Sequence, residues 1–246
     1  MNPGGASERV GVLSTITAPL LPLLLKELYE KGVDDLVVLF DSRALGAKDL
    51  GIFQQRTRGA FDDLGVTLYD FAGRGLPFHF VRSHNGEDGI ALARALDCAL
   101  LINGGTPRKL GSEILGVPRQ GVLNVHPGVL PKYRGASCVE WALYYDEEVG
   151  NTAHFMTEGY DEGPIVKVES YRFPRASDYV DIRVRVYREA QRLMAETVRD
   201  VLDRGLAPAD LPPQPEGSLF RPIPDDKLQE AIRRVDDKSY RFLDAE

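Results

Sequence analysis

The sequence predicts an α/β fold: a Rossmann-like, mostly parallel central sheet with helices on both faces, followed by a short C-terminal tail. Three observations lead to it. Short apolar runs alternate with helical patterns through the first half of the chain, the order that builds parallel sheets. Runs such as "DLVVLF" and "CALLING" are too continuously apolar for strands with one face in water. A chain of 246 residues, 43% apolar and 27% charged, can bury one large core without covalent staples.

Each element has its own local reason. "RVGVLS" (9–14) reads as the first strand. A helix over 19–31 carries proline in its first turn and stops at Gly32. "DLVVLF" (35–40) is an interior strand, and a polar, Arg-rich helix covers 47–64. "PFHFVR" (77–82) is a strand, "GEDGIALARAL" (86–96) a helix, "CALLING" (98–104) a strand, and "RKLGSEIL" a short helix. "GVLNVH" (121–126) is a strand that runs into the turn "NVHPGVLPKYRG". "NTAHFMTE" and "PIVKVESYRF" read as paired strands around a loop at Gly159–Gly163. A long helix over 181–204 follows, with Val186, Tyr187, Ala190, Leu193, Met194, Val198, Val201 and Leu202 on one stripe. Residues 1–205 are expected to form the main domain. Residues 206–246, rich in proline, are expected to be a tail with a short helix packed on it. There are no internal repeats.

Several function classes are excluded at this level. The net charge of −7 gives no global basic field for nucleic acid. The two cysteines, Cys98 and Cys138, are far apart, which argues against a disulfide framework and fits a reducing compartment. The polar start "MNPGGASERV" lacks the apolar run of a signal peptide. No stretch approaches the roughly 18 apolar residues of a spanning helix. A cytoplasmic protein without membrane or nucleic-acid partners is expected, with a homodimer as the oligomer allowed for. No residue cluster has metal-ligand spacing, and the first strand ends in "LSTITAP" rather than a glycine-rich dinucleotide or phosphate loop.

Ligands in such sheets sit beyond the carboxyl ends of the strands, which puts Asn103–Thr106 and Asn124–His126 on one rim. Asn124, His126, His154 and Asp161 stand out there. Asp161 lies in "TEGYDEGPIV", where Gly159 and Gly163 permit an unusual backbone. When an amine attacks a carbonyl carbon, one group must donate to the oxygen that gains charge and another must help the proton leave nitrogen. An asparagine amide does the first without any pKa demand. A histidine exchanges protons near neutrality, and a nearby carboxylate orients it. Asn, His and Asp at one rim are sufficient parts for acyl or formyl transfer. Each residue alone also has a plain reading: a strand-end amide, a turn carboxylate, and in His154 a packed strand residue. His79 and His84 read as a strand and a loop residue. Lys132 and Arg134 either hold an anionic substrate or face water.

At these residues the sequence resembles the folate-dependent formyltransferase family, which includes glycinamide ribonucleotide transformylase, methionyl-tRNA formyltransferase and the sugar N-formyltransferases. The likeness rests on the Asn-x-His-Pro segment running into Leu-Pro-x-Tyr-x-Gly, here "NVHPGVLPKYRG", and on the later Asp before Gly-Pro in "HFMTEGYDEGPIV". It covers roughly 97–205. The resemblance implies a catalytic set of Asn124, His126 and Asp161, with His154 supporting it from behind. It implies 10-formyltetrahydrofolate as cofactor, lying against Gly105, Thr106, Arg108 and Leu110 in "GGTPRKL" and against Thr157, Glu158, Gly159 and Tyr160. The chain departs from the family at the acceptor end. "STITAPLL" replaces the Gly-Ser-Asn phosphate loop of the purine enzymes, the expected tail is shorter than the barrel of the tRNA enzymes, and no regulatory domain of the hydrolase kind is expected before residue 9. The acceptor is therefore expected to be a small-molecule amine, with an amino-sugar nucleotide first, on account of the tail "GSLFRPIPDD". Another amine, hydrolysis of the formyl donor, or folate binding without catalysis are the alternatives.

Overall fold

The computed structural model describes residues 8–244; most of the polar start and the last two residues of the tail lie outside the described residues. A seven-stranded sheet runs β3-β2-β1-β4-β5-β7-β8. Its strands are β1 (Val10–Thr15), β2 (Leu36–Asp41), β3 (Phe78–Val81), β4 (Leu100–Asn103), β5 (Val122–His126), β7 (Val149–Phe155) and β8 (Ile165–Tyr171). The first five in that spatial order are parallel, and β7 runs antiparallel to both of its neighbours, β5 and β8. A second, two-stranded sheet pairs β6 (Tyr133–Gly135) with β9 (Ser218–Phe220).

Period-two alternation sends each strand's side chains to opposite faces. On one face Val10, Val12, Leu100, Ile102 and Leu123 meet α1 (Leu21–Glu30) and α7 (Tyr179–Arg204) through Leu24, Leu28, Met194 and Val198. On the other, Leu13, Leu39, Leu101 and Val122 meet Ile90 and Ala93 of α4 (Glu87–Leu96) and Ile114 of α5 (Ser112–Leu115). A third cluster lies under the C-terminal segment. Tyr133, Trp141 of α6 (Cys138–Tyr144), Val149 and Ile182 meet Ala231 and Val235 of α8 (Asp225–Asp236), with Tyr240. Trp141 Nε1 donates to the Arg221 carbonyl at 2.8 Å. No helix among the described residues is long and apolar enough to cross a membrane.

Some elements differ from expectation. The helix read over 47–64 is α2 (Ala47–Thr57), because Arg58 and Gly59 adopt φ of 44° and 77° and the chain leaves the helical region there. The expected helix at "RKLGSEIL" begins only at Ser112, since Asn85 donates to the Lys109 carbonyl and accepts from the Gly111 amide, which holds that stretch extended. Helix α3 (Leu68–Gly73) was not anticipated; Asp70 accepts from the Thr67 amide at 2.7 Å and hydroxyl at 2.9 Å to start it. Strands β6 and β9 and helix α6 were not anticipated either. The long helix begins two residues early, at Tyr179, with Asp178 and Asp181 capping each other's amides at 2.8 and 2.9 Å.

Glu140 on α6 is fully buried and ties three helices together. It accepts from Tyr179 at 2.6 Å and pairs with Arg56 at 3.1 Å and with buried Arg183 at 3.7 Å. Burial alone would raise its carboxyl, but Arg183 and Arg56 outweigh that and hold it below the usual range. Glu140→Ala leaves Arg183 charged and unpaired in the interior, and is expected to cost about 3–5 kcal/mol, read as a shift of the urea midpoint at neutral pH.

Candidate active site

Three neighbouring strands deliver one row of polar side chains. The β4–β5 register pairs Leu101 with Val122 and Ile102 with Leu123, so the next residues along, Asn103 and Asn124, stand side by side. The antiparallel β5–β7 register sets Asn124 opposite His154. Leu123 and Val125 point to the α1/α7 side, which sends Asn124 and His126 to the other face. Asn103 Nδ2 donates to Asn124 Oδ1 at 2.9 Å, and Asn124 Nδ2 meets His154 Nε2 at 3.1 Å. A register shift between Ala153 and His154 marks an irregularity beside the site.

Asp161 comes to this row from the following loop, on a left-handed backbone with φ of 54°. Its Oδ2 accepts from the Gly135 amide at 2.9 Å and lies 3.3 Å from His126 Nδ1. Its Oδ1 lies 3.6 Å from His154 Nε2. Burial by itself would raise the Asp161 carboxyl. The neighbouring rings of His154 and His126 and the Gly135 amide outweigh burial and hold it below its ordinary value. Burial pushes the His126 imidazole down; Asp161 opposes this but does not reverse it. His126 Nε2 contacts the Tyr133 carbonyl at 2.8 Å. The backbone of the Asp161 loop is held from the C-terminal segment, where Gln214 Nε2 donates to the carbonyls of Asp161 at 3.1 Å and Gly163 at 2.5 Å.

The row separates two cavities that share Asn103 and Asn124. One, of about 340 Å³, lies between Thr106–Leu110 and Met156–Asp161, with His154 in its wall. The other, of about 330 Å³, is lined by the loop after β1, by Asp49, Leu50 and Phe53 of α2, and by Tyr187, Ala190 and Gln191 of α7. Of the residues expected at a folate site, Thr106, Arg108, Leu110, Thr157, Gly159 and Tyr160 line the first cavity. Gly105 lines the second, and Glu158 is exposed and lines neither. Asn124, His154 and Asp161 face the first cavity, whereas His126 sits behind Asp161 and lines neither. Both rings are almost fully buried, His126 at 4% and His154 at 2% exposure, and of the two His154 is in the wall of the first cavity.

Lys132 pairs with Glu147 at 2.6 Å, and Arg134 donates to Gln214 Oε1 at 2.9 Å and to the Pro215 carbonyl at 2.7 Å. Neither cation lines either cavity, because each is held by a partner elsewhere. His84 lies in the loop between β3 and α4, as read, and is fully buried, with Nε2 2.9 Å from the Leu39 carbonyl. Burial pushes the Cys98 thiol up to about 11 and raises Cys138 as well, so neither is a ready nucleophile. Sequence reasoning missed Gln214, which carries no motif, and missed that Tyr187 and Ala190 of the apolar stripe wall a cavity as well as the core.

Residues 82–198, just under half of the chain, match the family model described as "Formyl transferase". Over that segment the chain is similar to the formyl transferase family. It is 35% identical over 100 residues to a methionyl-tRNA formyltransferase of Trichodesmium erythraeum, an alignment covering 40% of this chain and 30% of that protein. The chain thus spans about a third of the length of the curated relatives it matches. Among solved structures it is similar to glycinamide ribonucleotide transformylase 1 of Symbiobacterium toebii, with TM-score 0.58, 25% identity, and coverage of 81% of this chain and 90% of that one. It also shares its fold with a sugar N-formyltransferase of a Shewanella species, with TM-score 0.60, 14% identity, and coverage of 92% and 87%. The matched segment takes in β4, β5, β7 and the Asp161 loop, and so the whole polar row.

Two expected outcomes follow from the packing. A Cβ on Gly128 would stand 2.6 Å from His126 Nε2 and 2.7 Å from the Tyr133 carbonyl, so Gly128→Ala should break that contact and cost roughly 1–3 kcal/mol by thermal or urea unfolding. Asp161, with its folded pKa below the unfolded value, stabilises the fold above about pH 4 and loses that contribution as pH falls through the folded value. The stability gap between wild type and Asp161→Asn should therefore be largest near neutral pH and close in acid, as urea midpoints across pH 3–7 would show.

Proposed function

We propose that the protein transfers a formyl group from 10-formyltetrahydrofolate to a primary amine of a small molecule. The observation that carries this is the Asn103–Asn124 pair standing between two cavities, with Asp161 on one side of it. A donor cavity and an acceptor cavity meeting at one amide need no enzyme nucleophile. The first cavity suits a folate headgroup: irregular backbone at 106–110 and 157–160 can meet a flat heterocycle's polar edge, while Leu110 and Met156 meet its face. When bound there, 10-formyltetrahydrofolate supplies an activated formyl carbon.

The chain's own groups do the rest. Asn124 donates an N–H to the formyl oxygen as that oxygen gains charge. Asp161, held ionised, accepts the proton that the attacking amine sheds, directly or through one water, and returns it to the folate nitrogen as the bond between that nitrogen and the formyl carbon breaks. His126 Nε2–H is committed to the Tyr133 carbonyl, which leaves Nδ1 as an acceptor 3.3 Å behind Asp161, so a proton reaching the carboxylate can be shared with the ring. His154 holds the Asn124 amide. The acid limb of activity should follow Asp161: transfer is retained while the carboxyl is ionised and lost as pH falls through its depressed value.

For the acceptor we adopt an amino sugar linked to a nucleotide. Support comes from the fold shared with structures named as a sugar N-formyltransferase and as a 4-N formyltransferase from Francisella tularensis. The second cavity has a largely hydrocarbon lining with Asp49 as its one charged residue. It therefore suits the amine-bearing sugar, and the phosphates lie outside it, since burying them against a carboxylate without a cation is costly. The net charge of −7 disfavours a tRNA acceptor. Asn124→Ala should lower the rate of N-formyl product formation by about 10²–10³ with the fold intact by circular dichroism; unchanged turnover would remove Asn124 from the mechanism.

A further inference from the structure

An asparagine amide has nearly the same shape with its oxygen and nitrogen exchanged, yet the two orientations are chemical opposites. One offers N–H groups to a substrate oxygen, the other a lone pair. Something must decide which way Asn124 faces. We infer that Asn103 is a positioning residue that fixes this choice, by carrying the polarity of two backbone amides through Asn124 to the ring of His154.

The chain of contacts can be followed from either end, and both ends are backbone groups whose polarity cannot change. At one end the amides of Gly105 and Thr106 can only donate, and they point at Asn103 Oδ1 at 3.1 and 2.9 Å. That turns Asn103 Nδ2 toward Asn124, where it finds an acceptor at 2.9 Å that must be Oδ1. Asn124 Nδ2 then faces His154 Nε2 at 3.1 Å, and that nitrogen must bear a lone pair. At the other end the Phe155 carbonyl can only accept, and it lies 2.9 Å from His154 Nδ1. Nδ1 therefore carries the hydrogen, and in the neutral ring Nε2 carries none. The two directions agree along the chain, and Asp161 Oδ1, 3.6 Å from Nε2, lies beyond hydrogen-bond distance of it. His154 is the Nδ1–H tautomer, and Asn124 keeps one N–H on His154 and a second for a substrate oxygen.

Asn103 thus does two things at once. It holds the loop that begins the first cavity, through Gly105 and Thr106, and it sets the donor polarity of the shared wall. Asn103→Asp separates the two. A carboxylate still accepts from both backbone amides but cannot donate to Asn124 Oδ1. The Asn124 amide should turn over, presenting Nδ2 to the new carboxylate and Oδ1 to His154, whose Nε2 must then acquire a proton.

The test is nitrogen-15 NMR of histidine-labelled protein, which has only four histidines to assign. In wild type His154 Nε2 should show the resonance of a lone-pair nitrogen and Nδ1 that of an N–H. In Asn103→Asp, Nε2 should move to the N–H type. Nε2 already protonated in wild type, or unchanged in the variant, overturns the inference. Should Asn103→Asp not fold, Asn124→Asp probes the same chain, since its carboxylate accepts from Asn103 but cannot donate to His154, so Nε2 must again acquire a proton. The kinetic consequence rests on the formyl-transfer reading: kcat of Asn103→Asp should fall at least about tenfold, with donor KM within about threefold of wild type, because an oxygen donor is lost while the loop is kept. A residue that only held the loop would be rescued by aspartate, so wild-type kcat in Asn103→Asp also overturns the inference. Absence of any N-formyl product from wild type would instead sink the transfer reading, while the ring resonances still decide the polarity chain.

Discussion

The site depends on the register of three strands. Strand β4 pairs with β5 in parallel and β5 with β7 in antiparallel fashion, and the two pairings set Asn103, Asn124 and His154 at one height. A slip of one residue in either would turn a member of the row toward the α1/α7 core and put an aliphatic side chain in its place. The hydrocarbon on that far face, Ile102, Leu123 and Phe155 among it, is what forbids the slip. The apolar core therefore fixes the geometry of a polar site that it never touches.

Asp161 is positioned by different means. Its backbone is left-handed, and no strand carries it. It is held by groups from distant parts of the chain: the Gly135 amide from β6, His126 from the end of β5, and Gln214 from the C-terminal segment. Arg134 completes the arrangement by holding Gln214. The small β6–β9 sheet and the proline-rich stretch before it thus clasp the loop that carries the carboxylate. The close approach of Gly217 to the Pro131 carbonyl, where a Cβ would stand 1.8 Å away, shows how tightly the clasp is drawn.

Much of this was legible in the sequence because local pattern and global fold agree. Continuous apolar runs announced β1, β2 and β4, and the "NVHPGVLPKYRG" and "DEGPIV" segments brought Asn124, His126, His154 and Asp161 into view. What was not legible came from long-range contact. No local pattern reveals that Arg134 meets Gln214, that Lys132 is taken by Glu147, or that three residues at 218–220 find a partner strand at 133–135. Helix α2 stops because Arg58 and Gly59 turn left-handed, a choice made by packing more than by propensity. That His154 joins a cavity wall while His126 stands behind Asp161 was also hidden, since two residues on one face of neighbouring strands look alike until the Asp161 loop is placed.

The wall of two asparagines has a consequence for recognition. In the proposed transfer, donor and acceptor take separate compartments, so each would enter without waiting for the other, and neither would displace its partner's contacts on leaving. A single molecule joining a folate headgroup to an amine-bearing body across that wall would fill both compartments. Its second half would bind at the high effective concentration set by a short tether, an avidity that two loose ligands of the same chemistry do not have.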